Sequence, residues 1–216
     1  MKRITLFCGH YGSGKTNIAV NYAFYLRRQG LPVAIADLDI VNPYFRTKDS
    51  EKELEAEGIE VISLPFANSS VDLPALPAEA YSLVQNTARY AVLDIGGDDR
   101  GAYALGRYAP YILEENNFDH LYVANFHRPL TPTAEEAFEV MQEIFGACGL
   151  PFTGIVNNSN LGSETRAEDV LSTQAEAEKL SRLAGVPVVM TCVREDLAGL
   201  EDRQDLFRLK LQKKYW

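Results

Sequence analysis

Short apolar runs alternate with helical patterns from one end of the chain to the other. The runs are rich in β-branched residues and almost continuously hydrophobic, which is typical of parallel strands covered by helices on both faces. We predict strands at 4–8, 32–37, 59–64, 90–95, 120–126, 152–157 and 187–193. This order predicts a doubly wound α/β fold with a mostly parallel sheet of seven to eight strands and helices on both faces. Ligands of such sheets bind at the carboxyl ends of the strands.

The segments between the strands carry apolar residues at helical spacing. The clearest helix start is Thr133 followed by Glu136, a capping-box pattern in which each side chain bonds the other residue's backbone N–H group. The predicted helical faces are Ile18, Tyr22, Tyr25 and Leu26 after the first strand, Ala104, Leu105, Tyr108 and Ile112 after the fourth, and Ala134, Ala137, Phe138, Met141 and Phe145 after the fifth. Further helices are predicted at 48–57, 78–89 and 168–184, with a loop at 65–77. No linker or repeat interrupts the pattern, so we expect a single P-loop nucleotide-binding domain over residues 1–216.

The last residues, 206–216, admit two interpretations. Phe207, Leu209 and Leu211 recur at period two, as in a short edge strand whose outward Lys and Arg side chains discourage edge-to-edge pairing. The alternative is a basic amphipathic tail that touches acidic lipid. The period favours the edge strand, and we do not expect membrane contact.

Composition and charge narrow the class of protein. Hydrophobic residues make up 46% of the 216 residues, but no apolar run approaches the ~20 residues of a membrane-spanning helix. The first residues carry no signal-peptide pattern, and Cys8, Cys148 and Cys192 are too few and too far apart to suggest disulfides. We therefore expect a cytoplasmic protein. The formal charge of −9 argues against nonspecific nucleic-acid binding, which needs a basic surface.

Residues 9–16 match G-x-x-x-x-G-K-[ST], the phosphate-binding loop of nucleoside triphosphatases, and they lie between a predicted strand and a predicted helix. Glycines let successive backbone N–H groups converge on a phosphate, and the helix N-terminus adds partial positive charge. Lys15 would pair with β- and γ-phosphate oxygens, and Thr16 would bind Mg²⁺. The alternative is a glycine-rich turn that matches by chance. The predicted nucleotide-binding residues are Gly9, His10, Tyr11, Gly12, Ser13, Gly14, Lys15, Thr16 and Asn17.

Polar residues follow the strands that should point at this loop. Asp37 and Asp39 end the second strand, where carboxylates could orient an attacking water, hold the water shell of Mg²⁺ or simply cap the next turn. An apolar strand that closes on Asp94 is typical of a Walker-B acid, and Gly97 belongs to a double glycine whose backbone could approach a γ-phosphate. The asparagine pair 157–158 follows the sixth strand; an amide can donate to and accept from a base edge, although Asn-rich turns are common.

Together these motifs resemble the MinD/ParA/CobQ-type ATPases, a deviant Walker A group within the SIMIBI class of P-loop NTPases that also includes the nitrogenase iron protein. The resemblance rests on the ordered set 9–16, 37–39, 94–97 and 157–158. It implies that Asp39 positions the attacking water, that Asp94 supports Mg²⁺, and that Asn158, or Asn157, contacts adenine. Because no Asn-Lys-x-Asp guanine motif occurs, the expected nucleotide is ATP rather than GTP.

One residue departs from the pattern of that group. Many members carry a signature lysine five residues before the loop lysine, and it reaches across a dimer to the partner's ATP; here the position is His10. Histidine is shorter and largely neutral at pH 7, so a cross-subunit lysine mechanism cannot be assumed. His10 is either a phosphate contact or a solvent-facing loop residue. Arg46, Arg100 and Arg128 lie in loops near strand carboxyl ends and could supply the charge, although solvated arginine is the commoner role.

Three functions are compatible with these residues. In the first, a slow ATPase, ATP and Mg²⁺ order the loops at Asp39 and Gly97, and a protein partner binds or a homodimer forms until hydrolysis to ADP resets the switch; Lys15, Asp39 and Asp94 are its predicted catalytic residues. The second is an ATP-dependent synthase or kinase-like enzyme of the dethiobiotin or cobyrinic acid synthase type, with a substrate pocket built from 44–46 and 66–76. The third is a non-catalytic nucleotide-bound scaffold or metallocofactor chaperone, for which the three cysteines provide no obvious paired set.

Overall fold

The computed structural model describes residues 1–38, 47–63, 78–96, 99–200, 203 and 205–211. Over these residues the strands are β1 Ile4–Cys8, β2 Val33–Leu38, β3 Glu60–Ser63, β4 Tyr90–Ile95, β5 Phe118–Ala124, β6 Gly154–Asn157, β7 Val188–Arg194 and β8 Leu206–Leu209. They form an eight-stranded sheet in the order β3-β2-β4-β1-β5-β6-β7-β8, and every adjacent pair is parallel. The predicted parallel α/β fold is confirmed.

Helices cover both faces of this sheet. They are α1 Lys15–Arg28, α2 Thr47–Ala56, α3 Ala78–Gln85, α4 Asp99–Gly106, α5 Ala109–Glu115, α6 Ala134–Cys148, α7 Ala167–Ser172 and α8 Gln174–Ala184. Strand β1 shows how the two faces are buried. Phe7 packs in a cluster with Ile18 of α1, whereas Leu6 packs in a second cluster with Leu105 of α4 and Met141 of α6. Because successive strand side chains point to opposite faces, both sides of the sheet are buried, as predicted.

Strand β1 lies in the middle of the sheet, between β4 and β5. All of its residues are buried. Its Phe7 lies opposite Asp94 of β4, and its Cys8 lies opposite Tyr122 of β5. The loop that follows Cys8 therefore emerges at the centre of the carboxyl edge, where open α/β sheets bind their ligands.

Two of the predicted helices are each divided into two. The apolar positions 104–112 span α4 and α5, because Pro110 lies in the first turn of α5, where a missing N–H group and a fixed φ angle favour a new start. The predicted helix 168–184 is α7 and α8, which meet at Thr173. The Thr173 hydroxyl donates to the Val170 carbonyl at 2.9 Å, and such a side-chain bond competes with the backbone bonds of a continuous helix.

Several predicted ends and faces are wrong by a few residues. The structure has β5 at Phe118–Ala124 rather than 120–126, β6 at Gly154–Asn157 rather than 152–157, and α3 at Ala78–Gln85 rather than 78–89. Strand β5 begins earlier because Phe118 pairs with Ile4 at the start of β1. On α6 the inward spacing alternates between three and four residues, so Ile144 faces the core and Phe145 is 49% exposed. On α1, Tyr25 is 39% exposed.

The tail forms the edge strand that its period favours. Strand β8 pairs with β7, and Leu209 is buried, whereas Leu211 lies beyond the strand and is exposed. The side-chain amide of Asn21 in α1 closes the end of this strand, since it accepts from the Lys210 N–H group at 2.9 Å and donates to the Lys210 carbonyl at 3.0 Å. Residues 212–216 lie outside the described residues. None of the described helices has the length and apolar character that spanning a bilayer requires.

A buried imidazole connects the end of β1 to the neighbouring half of the sheet. His120 of β5 is fully buried and stacks on Phe152, with ring centroids 4.0 Å apart. Its Nδ1 lies 3.1 Å from the Leu150 carbonyl oxygen, which can only accept, so Nδ1 carries the proton. Burial lowers the pKa of His120 to about 4, so the ring is neutral at pH 7. Its Nε2 therefore accepts from the Cys8 thiol, whose sulfur lies 3.0 Å away.

This imidazole should make stability depend on pH. In the unfolded chain a histidine binds a proton near pH 6.5, whereas folded His120 binds one only near pH 4. The unfolded state thus holds more protons between these values, and the free energy of unfolding should fall by up to about 3 kcal/mol as the pH drops from 7 to 4. We expect His120→Gln to flatten this dependence, as measured by urea unfolding at pH 7, 6 and 5. His127→Gln is the matched control and should retain the slope; an unchanged slope in the His120 variant would contradict the assignment.

Candidate functional site

The predicted phosphate loop has a backbone that only glycine allows at two positions. Gly9 has a φ angle of +156°, and a Cβ atom there would lie 2.5 Å from the carbonyl oxygen of Val123 in β5. Gly14 has a φ angle of +89°, and a Cβ atom there would clash with the side-chain nitrogen of Asn158. Between them, the Ser13 N–H group donates to the His10 carbonyl at 3.1 Å. The glycines of the motif are therefore required by close approach as well as by backbone angle.

Helix α1 begins with its N–H groups directed toward this loop. The first backbone hydrogen bond of the helix runs from the Ile18 N–H group to the Gly14 carbonyl at 3.2 Å, so the N–H groups of Lys15 and Thr16 precede the helical ladder. The N-cap residue is Gly14, which has no side chain to cap them. Lys15 itself is only 5% exposed. A buried cation at an uncapped helix start is suited to bind an anion such as a phosphate.

Two carboxylates stand side by side next to this loop. Asp37 of β2 and Asp94 of β4 are register partners on adjacent parallel strands, and Asp94 also lies opposite Phe7 of β1. Asp94 is buried and Asp37 is half-buried. Because β4 adjoins β1, Asp94 lies at the edge of the sheet from which the loop emerges, and its role in holding Mg²⁺ with Thr16 stays a prediction. The two remaining residues predicted for these strand ends, Asp39 and Gly97, lie outside the described residues, as do the segments 44–46 and 66–76 of the synthase hypothesis.

The second asparagine of the pair 157–158 braces the loop. The side-chain nitrogen of Asn158 donates to the Ser13 carbonyl at 2.6 Å, and its backbone N–H group donates to the Ala124 carbonyl at 2.8 Å. The hydrogen bond to Ser13 joins residues 145 positions apart. Sequence reasoning missed this contact, because nothing local in the sequence signals that an amide after β6 supports a loop after β1.

The first asparagine of the pair is occupied within the protein. The Asn157 side-chain nitrogen donates to the Thr173 hydroxyl at 3.3 Å, and its side-chain oxygen accepts from the N–H and hydroxyl groups of Ser159. The neighbouring Asn160 likewise donates to the Asn158 carbonyl at 2.7 Å. These are turn-forming contacts of the kind that asparagine favours. Contact of either asparagine with a base stays a prediction.

Two of the four residues predicted as possible phosphate contacts, Arg128 and His10, can be located in the structure. Arg46 and the side chain of Arg100 lie outside the described residues. Arg128, in the loop after β5, places its Cζ atom 3.7 Å from the position a Cβ would occupy on Gly12. The ring Nδ1 of His10 lies 2.9 Å from the Tyr11 carbonyl oxygen. Of the three arginines, Arg128 is the one that the described structure brings to the phosphate loop.

The cysteines lie in the core. Cys8, Cys148 and Cys192 are all buried and unpaired by disulfides. Burial raises the pKa of the Cys8 and Cys192 thiols, which keeps both protonated at neutral pH. Over the residues that the structure describes, no three His, Cys, Asp or Glu side chains are grouped to hold a metal ion.

The residues present fit a magnesium nucleotide. The loop offers N–H groups and buried Lys15 to phosphates, Thr16 is the second residue of α1, and the Asp94 carboxylate stands at the adjacent strand end. Hydroxyl and carboxylate oxygens are the protein ligands that Mg²⁺ prefers, usually with several retained waters. The structure therefore brings together the described members of the predicted phosphate and metal set.

Comparison with known proteins supports the fold. No protein-family model matches the chain, and no curated protein matches it. Solved structures of FtsY do match. Cell division protein FtsY of Thermotoga maritima is 17% identical with a TM-score of 0.58, and the match covers 91% of this chain and 63% of that one. FtsY of Mycoplasma mycoides is 18% identical with a TM-score of 0.57, covering 89% and 61%.

The signal recognition particle receptor FtsY of Elizabethkingia anophelis, in complex with GDP, is 17% identical with a TM-score of 0.51, covering 99% of this chain and 61% of that one. The chain thus spans less than two thirds of the length of these FtsY chains. The fold and the loop define the class: this is an α/β fold of the P-loop NTPase type. The likeness to these FtsY structures shows the fold alone, and membership of the SIMIBI class stays a prediction. The narrower MinD/ParA/CobQ grouping stays a prediction.

Proposed function

We propose that this chain is a Mg²⁺-dependent ATP-binding protein, a slow ATPase that acts as a nucleotide-controlled switch for a partner protein. The observation that carries the proposal is the braced loop at the centre of the sheet. It combines buried Lys15, an uncapped helix start and the Asn158 support of the Ser13 carbonyl. A loop supported in this way favours the interpretation as a phosphate-binding loop over that of a glycine-rich turn that matches the motif by chance.

The residues predicted for the site take separate roles in this proposal. The loop N–H groups and Lys15 would bind the phosphate tail, and Thr16 and Asp94 would hold Mg²⁺. When bound, Mg²⁺ offsets the negative charge that phosphoryl transfer concentrates on the phosphate oxygens. Asp39 orients the attacking water, and Gly97 contacts the γ-phosphate through its backbone. Loops that order around a γ-phosphate and relax after its loss are a common basis of partner control, whether the partner is another protein or a second copy.

The contacts of Asn158 support ATP over GTP. Its side-chain nitrogen donates to the Ser13 carbonyl. Its side-chain oxygen accepts no hydrogen bond from the residues that the structure describes, so this oxygen is the group available to a ligand. A free acceptor suits the exocyclic amino group of adenine, whereas guanine carries a carbonyl oxygen at that ring position. A guanine-binding Asn-Lys-x-Asp sequence beginning at Asn158 would have an aspartate at position 161, where the chain has Leu161.

Titration calorimetry with Mg²⁺ and ATP, ADP or GTP tests the nucleotide. We expect ATP to bind more tightly than GTP, and we expect Lys15→Ala to weaken ATP binding by about 100-fold, because a desolvated ammonium–phosphate contact is lost. Thermal unfolding of the variant should be cooperative and close to that of the wild type. Equal ATP affinity in Lys15→Ala would overturn the phosphate-loop assignment, and preference for GTP would overturn the choice of base.

Size-exclusion chromatography completes this experiment. A switch that works through a second copy should dimerise with a nonhydrolysable ATP analogue and remain monomeric with ADP. The same elution volume with both nucleotides would overturn the homodimer form of the switch. A switch that acts on a different protein predicts another result: slow basal ATP hydrolysis that accelerates when the partner protein is added.

A further inference from the structure

Arg128 is an exposed guanidinium held against the phosphate loop. Its Cζ and Nε atoms each lie 3.7 Å from the position that a Cβ would occupy on Gly12, which places the guanidinium next to the loop. Its guanidinium makes no ion pair with a carboxylate of the described residues and donates no hydrogen bond to them. The turn that carries Arg128 follows β5, so it lies at the same edge of the sheet as the start of α1.

The loop that carries Arg128 is braced on both sides. The Arg128 N–H group donates to the Asn125 carbonyl at 3.1 Å, and the Thr131 N–H group donates to the Arg128 carbonyl at 3.1 Å. Asn125 and Thr131 are both buried, and the Asn125 side-chain oxygen accepts from the His127 N–H group. Arg128 therefore projects from a turn with fixed backbone, so its position over Gly12 does not depend on a freely moving loop.

The charge around the loop favours a second cation. The chain has a formal charge of −9, and the carboxylates of Asp37 and Asp94 flank the loop on its β4 side. A triphosphate brings further negative charge, and Mg²⁺·ATP remains an anion that a cation beside Lys15 would stabilise. Guanidinium is the side-chain group that binds phosphate with two parallel N–H donors, and it is always charged. Arg128 approaches from the β5 side, opposite the two carboxylates.

We propose that Arg128 is a second phosphate-binding cation, which contacts the phosphate tail of the nucleotide held by the loop of its own chain. This inference rests on the proposed function, because it needs a nucleotide in that loop. It assigns the β5–α6 turn to the nucleotide site. It also makes the site cationic on one flank and acidic on the other, so that a phosphate tail lies between them.

The test compares Arg128→Gln with Arg182→Gln, an exposed arginine in the last turn of α8. Binding of Mg²⁺·ATP and of inorganic tripolyphosphate is measured for each by competition against a fluorescent ATP analogue. We expect Arg128→Gln to weaken both ligands by the same factor of about 10, since the lost contact is to phosphate in both. Arg182→Gln should bind as the wild type does, and thermal unfolding should be unchanged in both variants.

The failures of the two proposals are distinguishable. A loss with ATP but not with tripolyphosphate would place Arg128 on the base or ribose and overturn the inference. Wild-type affinity for both ligands in Arg128→Gln, together with a large loss in Lys15→Ala, would overturn the inference and leave the proposed function standing. Nucleotide binding that is equally insensitive to Lys15→Ala would instead overturn the proposed function itself.

Discussion

Gly9→Ala is expected to weaken ATP binding by more than about 100-fold, although it adds a single methyl group. The added Cβ would lie 2.5 Å from the Val123 carbonyl oxygen, and this obstacle is strand backbone rather than a flexible side chain. The residue would also have to keep a φ angle of +156°, which L side chains rarely adopt. The loop must move away from β5, and its N–H groups then no longer converge on one phosphate.

The same substitution should also lower stability. Backbone strain and overpacking each cost roughly 1–3 kcal/mol, so we expect the free energy of unfolding to fall by about 2–5 kcal/mol. Calorimetry with Mg²⁺·ATP and urea unfolding measure the two effects. The matched control is Gly146→Ala in α6, where a Cβ meets nothing within 4 Å and helix propensity favours alanine. If Gly9→Ala bound ATP as the control does, the close approach of loop and strand would be disproved.

Arg3→Met is expected to cause the largest loss of stability, about 3–5 kcal/mol, because it leaves buried acceptors without their donor. Arg3 is 6% exposed and forms an ion pair with Glu115. Its Nη1 shares two N–H groups among the carbonyls of Leu83, Asn86 and Arg89, at 3.1–3.2 Å. These carbonyls lie at and beyond the end of α3, so one guanidinium caps the helix and joins it to β1.

Urea unfolding of Arg3→Met measures this loss, and Lys179→Met, which removes an exposed ion pair, is the control. Lys179 and Glu135 form an ion pair in which both side chains are largely exposed, and solvent screening leaves such pairs with little effect on stability. We therefore expect the lysine variant to unfold almost as the wild type does. If the two variants lost the same free energy of unfolding, burial of Arg3 would not be the reason for its contribution to stability. ATP binding by folded Arg3→Met should persist, because Arg3 directly precedes β1 and the loop follows the other end of that strand.

The fold could be predicted because its signal is local and repeated. Strands buried on both faces must be apolar throughout, and each run between helical patterns shows this directly. The divided helices were missed because a stripe of apolar residues continues across Pro110 and across Thr173, although the backbone does not. The start of β5 was missed because pairing between Phe118 and Ile4, rather than the composition of β5, decides where that strand begins.

The candidate site could be predicted only in part, for a related reason. The phosphate loop and the acids at strand ends are contiguous motifs, so their residue types and spacing are visible in the sequence. The bracing amide of Asn158 and the approach of Arg128 to Gly12 are tertiary contacts between distant segments. No alternation or spacing encodes such contacts. The choice of Arg128 among three arginines therefore required the arrangement of β5 beside β1.

The hydrogen bond between Asn158 and Ser13 has a consequence for biosynthesis. The cradle is made within the first sixteen residues, but the amide that supports it is synthesised 145 residues later. Contacts of such separation form late, after the costly closure of long stretches of chain. A nascent polypeptide should therefore expose an unsupported glycine segment until β6 has left the ribosome, and competence for ligand should arise in one step after that point.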